Sequence, residues 1–224
     1  MLVNSIFNSI DGEVNYYGQG MLTTFIRLQG CNLNCSYCDT SQAQDKTKAP
    51  FKMTPTEIVK EVHRLQGNKV TITGGEPLEQ RKELIRLVEI FNRTRGYDFR
   101  VTIETNGSKS LKGISDMTSW VVDYKLPSSG MERFMNHEAF SYLGQQDVVK
   151  FVIQNKEDFN KAIQTIEEIF GDFGKTDEFP VFAFSPVYKK ITPAQLLSWL
   201  NETSIPKLYK TALNIQLHKI IGLP

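Results

Sequence analysis

Two hydrophobic rhythms alternate along the 224-residue chain. Short runs rich in β-branched and aromatic residues predict strands over residues 21–28, 69–73, 100–104, 120–124, 148–153 and 181–184. Between them, apolar residues recur at helical spacing. One helix begins at Thr54, whose hydroxyl caps the first turn while Glu57 reaches back and Pro55 takes the first helical position. Its apolar face is Ile58, Val62 and Leu65. A second covers residues 84–94 with Leu84, Leu87, Val88 and Phe91 on one side. A third covers 157–170 with Phe159, Ile163, Ile166 and Phe170, and a fourth covers 193–201. Residues 42–51 read as a polar surface loop broken at Pro50, and 212–217 closes the set. No low-complexity segment or linker interrupts residues 1–224, so a single domain is expected. Strand–helix alternation implies an α/β fold on a parallel sheet, and about six units suggest a partial, open (β/α)6-type barrel.

In such sheets the chemistry gathers at the carboxyl ends of the strands. There the chain carries TGGEP, ETNG, DYKLP and FSP, and the first strand runs into FIRLQGCNLNCSYCDT. Each alone reads more readily as turn chemistry, since Gly, Pro, Asn and Asp dominate tight turns. Their shared placement points to a common site. Gly74-Gly75 lets backbone approach a ligand closely, with no Cβ in the way.

Charge and composition narrow the class. There are 26 basic and 25 acidic residues, a formal charge of +1, which argues for no nucleic-acid surface and no polybasic membrane patch. The opening MLVNSIFNSIDGE has neither a basic leader nor a long apolar run, so no signal peptide or membrane span is expected. Three clustered cysteines without a second set fit a reducing cytoplasm better than a disulfide scaffold.

Those cysteines, Cys31, Cys35 and Cys38, are spaced C-x3-C-x2-C. Thiolates at this spacing can serve one metal centre, zinc or iron–sulfur. Three small residues packed in a core is the bland alternative. A structural zinc site closes with a fourth Cys or His, whereas His63, His137 and His218 are isolated in sequence. Three thiolates instead suit a cubane with one iron open to an exogenous ligand. Arg27 offers a further clue. It alternates with Ile26 and Leu28 and therefore points away from them. An inward arginine is expensive unless paired, and a ligand carboxylate is a good bidentate partner; a surface salt bridge is the alternative.

The cysteine motif, with Tyr37 before the third cysteine and Asp39-Thr40 after it, strongly resembles that of the radical S-adenosylmethionine (SAM) enzymes. The ordered set SIDGEVNYYGQG, FIRLQGCNLNCSYCDT, TGGEP, ETNG, DYKLPSSGM, FSP and IQLHK goes further. From Phe7 to the last residues it is similar to 7-carboxy-7-deazaguanine synthase. That resemblance implies a barrel of the radical SAM kind. It also implies conversion of 6-carboxy-5,6,7,8-tetrahydropterin to 7-carboxy-7-deazaguanine with loss of ammonia. The implied cofactors are a four-iron four-sulfur (4Fe-4S) cluster, SAM and magnesium. A homodimer and a flavodoxin- or ferredoxin-type electron donor are implied as well. A 5′-deoxyadenosyl radical would take hydrogen from substrate C6, and SAM would be regenerated.

Carried over residue by residue, the resemblance implies that Cys31, Cys35 and Cys38 hold the cluster and Thr40 holds magnesium. Tyr37, Asp39, Gly75, Glu76, Glu104, Asn106, Lys125 and Ser185 would face SAM. Ile10, Asp11, Gly12, Glu13, Arg27, Thr73, His218 and Pro224 would face substrate, the last two on a tail folding over the pterin. Glu13 would pair with the pterin's guanidine-like edge. Two departures stand out: many relatives have Gln where this chain has Asp11, and Gly where it has Val14. Another radical SAM enzyme, such as a glycyl-radical activase, would share the cysteine loop without needing Glu13, Arg27 and His218. A non-catalytic metal-binding regulator would need only the cysteines.

Overall fold

Strand β2 (Leu22–Leu28) delivers the chain to the cysteine loop, and the sheet grows outward from it on both sides. The computed structural model describes residues 1–94, 96, 98–114, 118–171 and 179–223. Among these, one sheet of nine strands has the order β3-β1-β2-β4-β5-β6-β7-β8-β9. The parallel part comprises β2, β4 (Lys69–Gly74), β5 (Arg100–Thr105), β6 (Ser119–Tyr124), β7 (Val148–Ile153), β8 (Val181–Pro186) and β9 (Thr211–Leu213). Two further strands, β1 (Leu2–Ile10) and β3 (Phe51–Lys52), join antiparallel at the β2 end. The sheet stays open, as expected for a partial barrel, but it is longer than about six units implied.

The N-terminal strand has no clean alternation to read. A register shift between Val3 and Ser5 changes its phase, so Val3 and Ile6, three apart, both pack on the core. The closing stretch divides into the three-residue β9 and a helix, α7 (Leu217–Ile221).

Helices α1 (Pro55–Arg64), α2 (Arg81–Arg93), α3 (His137–Phe140), α4 (Lys156–Phe170), α5 (Pro193–Asn201) and α6 (Ile205–Leu208) fill the connections. The α1 start is the predicted capping box: Glu57 N–H donates to Thr54 Oγ1 at 3.3 Å, and Thr54 N–H donates to Glu57 Oε2 at 2.7 Å. Leu84, Leu87, Val88 and Phe91 of α2 are all buried, as are Phe159, Ile166 and Phe170 of α4. These stripes cover one face of the sheet, where Ile26, Ile72, Ile103, Val122, Phe151 and Phe184 are completely buried. Among the described residues, no helix is long and apolar enough to cross a membrane.

The other face is polar and concave, and its residues alternate with the core residues along each strand. Its base carries a small apolar plug, in which Val121, Val148 and Ala183 lie under Val14. Beside it a buried ion pair joins Lys69 to Asp11, and Thr71 Oγ1 donates to Asp11 Oδ1 at 2.8 Å.

Candidate active site

The cysteine loop leaves the carboxyl end of β2 and is tied to the segment that follows it in the chain and to the loops after β5 and β6. Gly30 N–H donates to Ala43 O at 2.7 Å, and Cys31 N–H to Gln44 O at 3.0 Å. Ser36 donates from its backbone to Ser129 O at 3.1 Å and from its hydroxyl to Ser128 O at 2.6 Å. Asn106 Nδ2 reaches Asn32 Oδ1 at 3.0 Å. The two glycines of TGGEP make this docking possible. A Cβ on Gly74 would lie 2.2 Å from Leu28 O, and one on Gly75 would lie 2.1 Å from Gly30 O. Gly74 also has φ +128°, a backbone state that favours glycine.

The loop roofs a cavity of about 470 Å3 over the concave face. All three cysteines line it, and none is in a disulfide. Arg27, Thr73, Glu104, Asp123 and Lys150 reach it from five strands. The Arg27 guanidinium lies 5.3 Å from the centre of the Phe7 ring, and its buried Nε has no hydrogen-bond partner. Thr73 Oγ1 donates to Glu104 Oε2 at 2.8 Å. Burial, and then the charge of Glu13, push the Glu104 carboxyl upward.

Next along the sheet, Asp123 accepts from two ammonium groups, Lys125 at 2.9 Å and Lys150 at 3.3 Å. Lys150 also bonds Glu13 Oε2 at 2.5 Å. Burial works against the charge on Lys150, yet Glu13, Asp123 and Glu104 outweigh it and hold its pKa well above the ordinary lysine value. Lys125 is likewise raised, with Asp123 and Cys35 overcoming burial.

The turn after β1 and the tail meet across this cavity. Leu217 N–H donates to Gly12 O at 3.0 Å, and His218 packs so closely on Gly12 that a Cβ there would lie 2.0 Å from Nδ1. Gln216 Nε2 donates to Glu13 Oε1 at 3.0 Å, and Lys219 pairs with Asp39 at 2.9 Å. The cysteine loop, substrate-loop candidate and tail thus form one rim. Burial lowers the His218 pKa, against the opposing pull of Glu13.

A radical SAM superfamily model matches residues 25–123, from β2 to Asp123. Over its whole length the chain is similar to curated 7-carboxy-7-deazaguanine synthases. The Clostridium acetobutylicum protein is 40% identical over 97% of this chain and 94% of its own. Those of Methanospirillum hungatei and Koribacter versatilis are 34% and 32% identical over 100% of this chain, and 86% and 98% of their own. The chain belongs to the 7-carboxy-7-deazaguanine synthase family. It is therefore a radical SAM enzyme, whose cofactors are a 4Fe-4S cluster and SAM. The fold agrees with the crystal structure of QueE from Escherichia coli, with a TM-score of 0.68 and 23% identity over 93% of this chain and 91% of that one.

The cysteine loop fits a synthase cluster. Leu33 N–H and Asn106 Nδ2 point at Cys31 Sγ, at 3.5 and 3.8 Å, and such contacts to sulfur tune cluster potentials. Burial pushes the Cys35 thiol up to about 11 despite nearby Lys125, so binding iron must displace its proton. Among the described residues no three His, Cys, Asp or Glu side chains converge on a single metal position.

Most of the expected synthase site residues line the cavity: the three cysteines, Ile10, Gly12, Glu13, Arg27, Tyr37, Asp39, Thr40, Thr73, Gly75, Glu104, Asn106, Lys125 and His218. Three side chains do not. Asp11 is 2% exposed and turned beneath the turn onto Lys69. The Glu76 carboxylate, fully buried, accepts from Leu78 N–H, Thr105 Oγ1 and Asn106 N–H at 2.8–2.9 Å. It clamps TGGEP to ETNG and has no side-chain contact to offer SAM. Ser185 lies buried under Asn214, whose Nδ2 donates to its hydroxyl at 3.1 Å. Pro224 lies outside the described residues. Sequence reasoning passed over Asp123, Lys150, Gln216 and Lys219. For Asp123 and Lys150 the signal was present, as lone charges inside the apolar strands WVVDY and VVKFVI.

Proposed function

We propose that the enzyme contracts 6-carboxy-5,6,7,8-tetrahydropterin to 7-carboxy-7-deazaguanine with loss of ammonia, and that magnesium assists. Arg27 carries the reading. Among the described residues its guanidinium pairs with no carboxylate, yet it faces the same cavity as Cys31, Cys35 and Cys38. A substrate carboxylate supplies the missing partner through two parallel hydrogen bonds. The product named for the curated relatives carries such a group.

When bound, the cluster held by Cys31, Cys35 and Cys38, together with SAM, would supply radical hydrogen-transfer chemistry at substrate C6. The chain's own task is to hold, orient and exclude water. Arg27 clamps the carboxylate, Glu13 takes the guanidine-like edge, and Thr73 with the backbone of Ile10 and Gly12 flanks the ring. His218 and the tail, including Pro224, close over it. Tyr37, Asp39, Gly75, Glu104, Asn106 and Lys125 serve SAM, each from a cavity-lining position. Asp11, Glu76 and Ser185 support the neighbouring loops. Thr40 lines the cavity with its hydroxyl 4.0 Å from Cys38 Sγ, and a hydroxyl suits magnesium. The reading includes a single domain, a homodimer, a flavodoxin- or ferredoxin-type donor and a cytoplasmic setting, for which family membership and the near-neutral charge are the support.

The test is an anaerobic assay with reconstituted enzyme, SAM, magnesium, a reductant and the carboxy-tetrahydropterin. Expected are ammonia and a product of the deazaguanine mass in equal amounts, with SAM not consumed. Steady SAM consumption without either product would overturn the reading. For magnesium, Thr40→Ser should retain activation and Thr40→Ala should weaken it; unchanged activation in Thr40→Ala would remove Thr40 from the metal's shell.

A further inference from the structure

Lys150 sits in the middle of β7, and its side chain is only 11% exposed at the cavity wall. It touches Glu13 Oε2 at 2.5 Å and Asp123 Oδ2 at 3.3 Å, while Gln216 Nε2 donates to the other Glu13 oxygen at 3.0 Å. Glu13 itself belongs to the turn between β1 and β2, outside both strands. A loop carboxylate next to Asp123 and Glu104 has reason to turn away from them. The strand-borne ammonium is what keeps it in place.

We propose that Lys150 is a positioning residue for substrate selection, fixing the Glu13 carboxylate so that it reads the amino-bearing edge of the pterin. The inference rests on the substrate assignment made above and extends it. Lys150 does this from a central strand paired on both sides, with Asp123 directly across in register. Asp123 in turn is held by Lys125, so the Lys150 ammonium has a second, anchored partner on the sheet besides Glu13. Removing Lys150 leaves Glu13, Asp123 and Glu104 facing one another, with Lys125 on Asp123 the one direct ion pair they retain among the described residues. Glu13 then keeps only its bond to the tail. Of the groups assigned to SAM, Gly75 and Asn106 stand on loops that Lys150 does not touch, whereas Glu104 and Lys125 feel its charge.

The experiment measures anaerobic binding of two ligands to the SAM-loaded, reconstituted enzyme. One is the carboxy-tetrahydropterin, and the other is an analogue lacking the exocyclic amino group. Wild type should prefer the intact pterin by about tenfold or more, as sites built around a polar edge do. Lys150→Met should weaken the intact pterin by about tenfold while changing the analogue by about twofold or less, so that discrimination collapses. Lys150→Arg, which keeps a cation, should restore part of it. Iron content should match wild type, and SAM affinity should change less than affinity for the intact pterin. Equal weakening of both ligands, or unchanged discrimination in Lys150→Met, would reduce Lys150 to a structural residue and overturn the inference alone. Failure of the wild type to bind either pterin would overturn the substrate assignment and this inference with it.

Discussion

The two faces of the sheet are made by the same strands and answer to different physics. On the helix side, Ile103, Val122 and Phe151 are fully buried against α2 and α4 neighbours. One residue away, on the cavity side, stand Glu104, Asp123 and Lys150, none fully buried and all charged types. The period-two pleat separates these chemistries by a single peptide unit. Hydrophobic burial on one side therefore sustains a row of ionic groups on the other that would be costly in a core. Side chains on the helix face should govern stability, and those on the cavity face should govern ligands.

The largest expected effect lies beyond both faces, on the loop they carry. Cys35→Ala should abolish 5′-deoxyadenosine formation while far-UV circular dichroism and melting of the apo-protein stay near wild type. Normal SAM cleavage by this variant would remove Cys35 from the cluster. On the helix face, Phe151→Ala should destabilise the fold by about 3–5 kcal/mol in denaturant titration, because a fully buried ring is lost. A loss below about 1 kcal/mol would show that this face is not the core.

Arg27→Ala, on the cavity face, sharpens the contrast. Substrate binding should weaken by about 2–5 kcal/mol, with SAM affinity and stability retained. Arg27→Lys should bind better than Arg27→Ala but give less product per SAM cleaved, since lysine lacks the planar fork. Wild-type substrate affinity in Arg27→Ala would remove Arg27 from the substrate carboxylate's site.

The smallest effect concerns pH and the rim. The His218 pKa is lowered by burial, so the folded tail binds fewer protons than the free one. The tail's docking is thus fully present above the ordinary histidine pKa of about 6.5 and declines as pH falls from there through the lowered value. Protease cleavage within α7 should accelerate over that window, and His218→Gln should remove the acceleration. Cleavage rates flat in wild type from pH 7 to below 6, an interval of about one unit spanning the reference pKa, would exclude such linkage.

Much of this architecture is written in local sequence. The α1 capping box, the α2 stripe and six parallel strands are short-range matters of periodicity and hydrogen-bond chemistry, and each is where the sequence puts it. The cysteine spacing and ordered loop motifs were equally legible, because one loop's ligands are close in the chain. β1 was not, since a bulge shifts its phase. Nor were the side-chain partners. Asp11 meets Lys69, Glu76 meets Thr105 and Asn106, and Glu13 meets Lys150 and Gln216 across 137 and 203 residues. A carboxylate's sequence position does not say whether it will meet solvent, ligand or an ammonium from another strand. That choice is made by sheet order and register, which bring distant residues into contact and set the electrostatic environment each one has.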